Sequence, residues 1–136
     1  MKIVIDTNVI ISAMFFGGRP RELMELLVKD KVTAFASPEI IIEYQETAEE
    51  ISSKYPDKTA LFTLDMIISI MNIIWPISEI KICRDPKDNK FIECAFDSIC
   101  MYIVTGDKDL RVLQEYADIQ IVTVSEFLDE FCSFDM

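Results

Sequence analysis

Twenty-four acidic residues and no histidine define what this 136-residue chain can do chemically. Without histidine, Ser-His-Asp and Cys-His hydrolysis, imidazole acid–base catalysis and most zinc sites are excluded. Chemistry must come from carboxylates, hydroxyls, amines or a bound metal. Most of the acids, such as Glu22, Glu25, Glu46, Glu49, Glu50, Glu115, Asp129 and Glu130, read as solvated helix faces. Four do not. Asp6 ends the β-branched run Ile3-Val4-Ile5, where it is equally well placed as a helix cap. Glu43 borders the apolar stripe Ile40, Tyr44, Ala48 and Ile51, and alone it reads as a glutamate at the edge of the core. Asp88 precedes Phe91, Ile92, Ala95 and Ile99 at helical spacing, which puts it in a first turn but on the inward face. A charge–dipole contact would account for it, but Asp85 already supplies the cap. Asp107 follows the run Tyr102-Ile103-Val104-Thr105-Gly106, with Asp109 two residues on; one of these two serves as a cap.

Two of these acids leave strand ends and two lie on inward helix faces. In open α/β sheets, ligands bind beyond the carboxyl ends of the strands, at a topological switch point. If the first and fourth strands are neighbours, all four acids converge there. Clustered carboxylates raise one another's pKa values, and a hard divalent cation such as Mg²⁺ or Mn²⁺ makes such a cluster sustainable. The arrangement suits phosphodiester hydrolysis, in which a metal activates water and steadies charge on the phosphate.

The positioning elements follow from periodicity and punctuation. Strands are expected at 2–5, 32–36, 79–83, 101–105 and 119–124. Helices are expected at 7–16, from Pro20 onward, and at 38–53, 58–75, 86–98, 107–113 and 126–131. Ser37-Pro38 and Asp85-Pro86 are cap-plus-N1 pairs. Asp57 and Ser125 are read as further caps, with Pro76 ending the helix at 58–75. Alternation of strands and helices predicts a mostly parallel sheet with helices on both faces.

The length fits a single domain over residues 1–136, and a hydrophobic content of 51% excludes disorder. Only three apolar residues separate Lys2 from Asp6, so no export signal is expected, and the apolar stretch 62–77 is interrupted and too short to span a bilayer. Cys83, Cys94, Cys100 and Cys132 form no C-x-x-C pair and read as reduced core thiols of a cytoplasmic protein.

Four ordered stretches carry a family resemblance: Ile3-Val4-Ile5-Asp6-Thr7-Asn8-Val9; Ser37-Pro38-Glu39-Ile40 through Glu43; Arg84-Asp85-Pro86-Lys87-Asp88-Asn89-Lys90-Phe91; and Tyr102-Ile103-Val104-Thr105-Gly106-Asp107-Lys108-Asp109-Leu110. The chain resembles the PIN-domain (PilT N-terminus) ribonucleases, most closely the VapC-like toxins of toxin–antitoxin pairs. The resemblance covers nearly the whole chain. It implies a three-layer α/β/α fold with a parallel sheet of order 3-2-1-4-5. It implies metal-dependent endoribonuclease activity on single-stranded RNA, with one or two Mg²⁺ or Mn²⁺ ions held by Asp6, Glu43, Asp88 and Asp107. Asn8 and Thr105 match supporting polar positions, and Asp109 matches an acid that serves a second metal. Asp85 competes for the third position, but the spacing to Phe91 and Ala95 favours Asp88. The family also implies dimers or higher oligomers, and inhibition by a cognate antitoxin.

The net charge of −11 opposes general nucleic-acid affinity. Seven of the 13 basic residues nevertheless fall in or beside the loops assigned to the active face: Arg19, Arg21, Arg84, Lys87, Lys90, Lys108 and Arg111. A local basic rim can hold a phosphate backbone, with Arg19, Arg21, Arg84, Lys87 and Lys108 as the expected phosphate contacts. Lys90 and Arg111 read equally well as solubilising charges. Phe15, Phe16, Met24 and the 67–75 stripe exceed the needs of a small core and offer a partner surface, although a generous core explains them as well. Two rival readings remain. A haloacid-dehalogenase-like phosphatase also starts with a strand ending in Asp, but here Asn8 replaces its second aspartate and no downstream lysine motif is evident. A PIN fold used only to bind RNA or protein would not need the intact quartet.

Overall fold

The computed structural model describes residues 1–60 and 62–135, with side chains as far as residue 131. The elements run β1 (Lys2–Ile5), α1 (Thr7–Phe15), α2 (Arg19–Val28), β2 (Thr33–Ala36), α3 (Pro38–Lys54), α4 (Leu64–Ser69) and β3 (Asn72–Ile73). A 3₁₀ turn (Pro86–Asp88) then leads into α5 (Asn89–Asp97), β4 (Tyr102–Val104), α6 (Lys108–Arg111), β5 (Glu115–Tyr116), β6 (Ile119–Val122) and α7 (Val124–Asp135). The sheet order is β3-β2-β1-β4-β6-β5. All pairs are parallel except β5 with β6.

The five parallel strands lie in the expected 3-2-1-4-5 arrangement, with β6 as the fifth, but the third strand is 72–73 and not the expected 79–83. The antiparallel edge strand β5 is an addition. It forms because Ala117 takes a left-handed conformation (φ 53°) and folds Glu115-Tyr116 back on Ile119-Gln120. β1 lies at the centre, with β2 on one side and β4 on the other, in registers Ile3↔Ala34 and Ile3↔Tyr102. Chain order runs outward in opposite directions from this strand, so the β1–β4 boundary is the switch point. β1 and β4 contribute Ile3, Val4, Ile5, Ile103 and Val104, all fully buried, to the core. This is the near-continuous apolar run of a strand covered on both faces. Helix α5 packs on β1, β2 and β4, with Phe91, Ile92 and Ala95 of the expected stripe fully buried; Ile99, its fourth expected member, lies beyond the helix end and is exposed.

Three expectations need correction. The helix at 58–75 is instead the short α4 followed by β3. Thr63 caps α4, its hydroxyl accepting the Met66 amide at 3.2 Å. The β-branched residue Ile73 pairs with Ala36 at the sheet edge. Leu61, within that expected helix, lies outside the described residues. The strand at 79–83 does not form. Its amides, and those just before it, are taken by the polar face of α5: Asn89 accepts Cys83 N at 3.0 Å, Glu93 accepts Ile80 N at 2.9 Å, and Asp97 accepts Ile77 N at 2.7 Å and Ser78 N at 2.9 Å. The final helix is capped by Thr123 rather than Ser125. Glu126 N donates to Thr123 Oγ1 at 3.1 Å and Thr123 N to Glu126 Oε1 at 3.4 Å, a reciprocal capping box.

Of the expected core thiols, Cys94 and Cys100 are buried and Cys83 is partly exposed, all three unpaired; Cys132 lies outside the described side chains. Among the apolar residues in excess, Phe15, Met24, Ile67 and Met71 are core, whereas Phe16 and Trp75 are exposed.

Candidate metal and active site

Asp6 is set by the end of β1. Its amide donates to Val104 O, at the end of β4, at 2.9 Å, so the β1–β4 ladder continues one residue beyond β1. Its carboxylate accepts Thr7 N at 2.7 Å as the cap of α1, and the Thr105 hydroxyl at 2.6 Å from the end of β4. Asp6 is therefore both a cap and a member of the cluster, and the two roles do not compete. It is 5% exposed. Burial pushes its pKa up to about 6 against the lowering pull of Thr105 and Thr7, and the charges of Asp107 and Glu43 push the same way as burial.

Glu43 reaches this region because α3 is fastened to the end of β1. The buried Tyr44 phenol donates to the Ile5 carbonyl, and the Thr7 hydroxyl donates to Glu43 Oε2. The other carboxylate oxygen, Oε1, lies 2.7 Å from Lys90 Nζ. The Lys90 side chain is only 10% exposed and its ammonium also donates to Lys87 O. Lys90 is therefore an enclosed, ion-paired lysine and not a freely solvated charge.

Asp88 occupies the N-cap position of α5 but makes no side-chain capping bond; the cap of the preceding turn is Asp85, which accepts Lys87 N at 3.0 Å. Asp88 is 7% exposed, and its Oδ2 is buried without a hydrogen-bond partner. Burial raises its pKa to about 7, helped by the charges of Asp107, Asp6 and Asp85 and by a hydrogen bond with Asp107. The same acids lie close to the partly buried Cys83 thiol. Burial first, then Asp88, Asp107, Asp85 and Glu93, push that thiol to about 11, which keeps it protonated and poorly nucleophilic.

Asp107 N donates to Thr105 Oγ1 at 3.0 Å, and Asp107 Oδ1 accepts Asp109 N at 2.9 Å. Thr105 is fully buried and links Asp6 with the Asp107 turn. Among the described residues, Asp85, Asp88 and Asp109 each offer a carboxylate oxygen within 4.8 Å of the others. This trio shares only Asp88 with the expected quartet, so Asp85 joins the cluster rather than replacing Asp88. Asp6 and Asp107 reach Asp88 through charge and hydrogen bonding, and Glu43 reaches Asp6.

Arg84 borders this region through a 2.9 Å pair with Asp109, and Lys87 and Lys108 are exposed beside the acidic turns. Arg19 is committed elsewhere, to Asp129 at 3.0 Å and Glu22 at 3.4 Å. Arg21 faces the Phe62 ring at 6.0 Å. Asn8 is exposed on the first turn of α1, and Arg111 is exposed on α6. Sequence reasoning missed Thr7 and undervalued Lys90. A hydroxyl next to Asp6, and a lysine two residues after an inward-facing acid, were the available signals.

The PIN-domain family model matches residues 2–109, a span holding all four quartet acids and Asp109. The chain belongs to the PIN-domain family. Over 146 aligned positions it is also 36% identical to Uncharacterized protein MJ1680 of Methanocaldococcus jannaschii, covering 98% of this chain and 94% of that protein. No solved structure matches the chain. PIN membership implies nuclease-type chemistry, and PIN domains typically bind divalent metals. The donor set of this PIN domain fits such an ion: it is made of carboxylate oxygens, the ligands of hard cations, and Asp88 Oδ2 is a buried acceptor in want of a partner. Among the described residues, no helix is long and apolar enough to cross a membrane.

Proposed function

We propose that this PIN domain is a Mg²⁺- or Mn²⁺-dependent endoribonuclease that cleaves single-stranded RNA. The observation that carries the reading is the unpartnered, buried Asp88 Oδ2 within a group of carboxylates whose charges already disfavour one another. Asp6, Glu43, Asp88 and Asp107 form the acidic set, with Asp109 and Asp85 beside them. When bound, a divalent cation supplies Lewis acidity toward a phosphate oxygen and a water molecule.

The chain's own groups do the positioning. Thr105 and the Thr7 amide orient Asp6, Tyr44 fixes α3 against β1, and Thr7 with Lys90 orients Glu43. Burial and the neighbouring acids raise the Asp88 pKa and so favour its neutral form when no cation is bound. Lys87 and Lys108, joined by Arg84 when it leaves Asp109, form the local basic rim that attracts a phosphate backbone to an otherwise acidic protein. Arg19 and Arg21, held by Asp129 and Phe62, contribute to RNA binding only if they leave these contacts.

The resemblance to VapC-like proteins supports a cytoplasmic toxin that forms dimers and is restrained by a cognate antitoxin. The exposed Phe16 and Trp75 supply apolar surface for such contacts. A small basic antitoxin encoded beside the gene is the expected companion. The decisive experiment is cleavage of labelled single-stranded RNA in Mn²⁺, in EDTA, and with Asp6→Asn. Cleavage should require the metal and disappear in the variant, with no rescue by salt or pH. RNA binding without cleavage would identify a binding module instead. An aspartyl-phosphate trapped on Asp6 would identify a phosphatase, since the nuclease needs no covalent intermediate.

A further inference from the structure

Glu43 and Asp88 belong to the same expected ligand set, yet the fold treats them in opposite ways. Both oxygens of Glu43 are engaged, one by the Lys90 ammonium at 2.7 Å and the other by the Thr7 hydroxyl. Asp88 keeps one buried oxygen with no partner. The lysine that satisfies the first carboxylate leaves α5 only two residues after the second. Lys90 is not a surface lysine resting on a glutamate by chance. Its side chain is 10% exposed, its ammonium also donates to the Lys87 carbonyl, and it lies 5.2 Å from the centre of the Phe91 ring. Holding a lysine head group this far from water is costly unless its charge is matched. Glu43 matches it, and a divalent cation on Glu43 would have to displace it.

We propose that the Lys90 ammonium is a built-in cation of this site, standing where a second divalent ion would otherwise bind. Lys90 and Thr7 hold Glu43, so Glu43 acts as a positioning residue. The chain takes one divalent ion, on the side of Asp88 with Asp6 and Asp107. The inference rests on the metal-dependent reading above and refines it: one metal with one fixed ammonium, not two metals.

The test counts ions. Mn²⁺ binding to the full chain, followed by calorimetry and by the loss of the free-Mn²⁺ resonance signal, should give one ion per chain. Lys90→Met removes the ammonium while keeping an apolar stem, frees Glu43, and should bind two. Lys90→Met combined with Glu43→Gln should return to one. Lys90→Arg, which keeps the charge, should stay at one and shows that any change is not a folding artefact; circular dichroism of each variant checks the fold directly. Two ions bound by the unaltered chain, or one ion still bound by a folded Lys90→Met, overturns the inference while leaving a metal-dependent nuclease intact. No Mn²⁺ bound to the unaltered chain overturns the metal-dependent reading and this inference with it.

Discussion

Replacing Asp88 by Asn should stabilise the metal-free protein at alkaline pH and destabilise it, relative to the unaltered chain, once metal is present. The carboxyl is buried, and its Oδ2 has no partner. Ionised and unpaired, a group of this kind costs about 1–3 kcal/mol. An Asn of the same shape carries no charge and can donate to the neighbouring Asp107 or Asp109. A gain of about 2 kcal/mol in a chain of 136 residues corresponds to a rise in Tm of roughly 7 °C. The pH dependence has a definite sign. Folding raises the Asp88 pKa from 3.8 to about 7, so between these values the folded state holds a proton that the unfolded state has lost. Stability from this group is therefore present at low pH and lost as pH rises through about 7. Asp6, raised to about 6, acts in the same direction. Asp97, lowered by its bonds to Ser78 and Ile77, acts in the opposite one, so the difference between variant and unaltered chain is the quantity to follow. In EDTA the Tm difference should be several degrees at pH 8, clearly smaller at pH 5, and should vanish only as the pH falls to the unfolded value of 3.8. With Mn²⁺ at about a hundred times its dissociation constant, the unaltered chain gains about 2.7 kcal/mol; the variant should gain far less, reversing the order. Calorimetric melting at both pH values, with and without metal, measures all four states. A metal-free variant less stable than the unaltered chain at pH 8, or a difference indifferent to pH, refutes the reasoning.

Other consequences follow from single contacts. Tyr44→Phe leaves the buried Ile5 carbonyl without its donor and should cost about 1–3 kcal/mol in denaturant unfolding, with a fall in cleavage rate as α3 loses its fastening to β1. Asp97→Ala removes the acceptor for Ile77 N, Ser78 N and the Ser78 hydroxyl, so amide exchange at residues 77 and 78 should accelerate while β1 and β4 remain protected. Ile99 holds a left-handed φ of 58° just beyond α5 with its side chain 79% exposed; Ile99→Gly should raise stability by about 1 kcal/mol in thermal melts, since only glycine adopts that conformation without strain. Asp6→Asn should abolish cleavage at a cost of no more than about 1–3 kcal/mol in thermal melts, because the amide oxygen still accepts the Thr7 amide while the Thr105 hydroxyl loses its acceptor.

The elements that bring the acids together were legible because each is specified locally. A β-branched run ended by Asp6, the Ser37-Pro38 and Asp85-Pro86 helix starts, and the Phe91-Ile92-Ala95 stripe all depend on residues within one or two turns of one another. The misread stretches depend on partners further away. Residues 79–83 alternate well enough for a strand, but the amides of Ile80 and Cys83 bond to Glu93 and Asn89, and those of Ile77 and Ser78 just before them to Asp97, three acceptors four residues apart on one face of α5. That polar stripe was visible beside the apolar one, and its spacing is what a helix needs to pin a passing segment. The 115–116 edge strand depends on a left-handed alanine, which the sequence does not announce. Lys90 was undervalued for the same reason: its partner Glu43 is 47 positions away, and only the packing of α3 beside α5 shows that the ammonium is enclosed.

The site also separates fold integrity from ion binding, residue by residue. Asp6 and Asp107 each accept a backbone amide at a helix start, and such bonds offset the cost of burying a carboxylate. They would remain in place with no cation present. Glu43 is satisfied by Lys90 and Thr7, and Asp109 by Arg84 at 2.9 Å. Among the acids of the described residues, Asp88 alone combines burial with an oxygen that no protein group serves. A cation therefore gains most by approaching Asp88, and the effect of neutralising each acid should differ in kind. Loss of Asp88 should weaken ion binding while relieving the empty site. Loss of Asp6 or Asp107 to Ala should weaken both ion binding and the helix starts they cap. Most of the acidic cluster is thus satisfied by the chain's own backbone and cations, and on the proposed metal-dependent reading the open acceptor on Asp88 is where a divalent cation gains most.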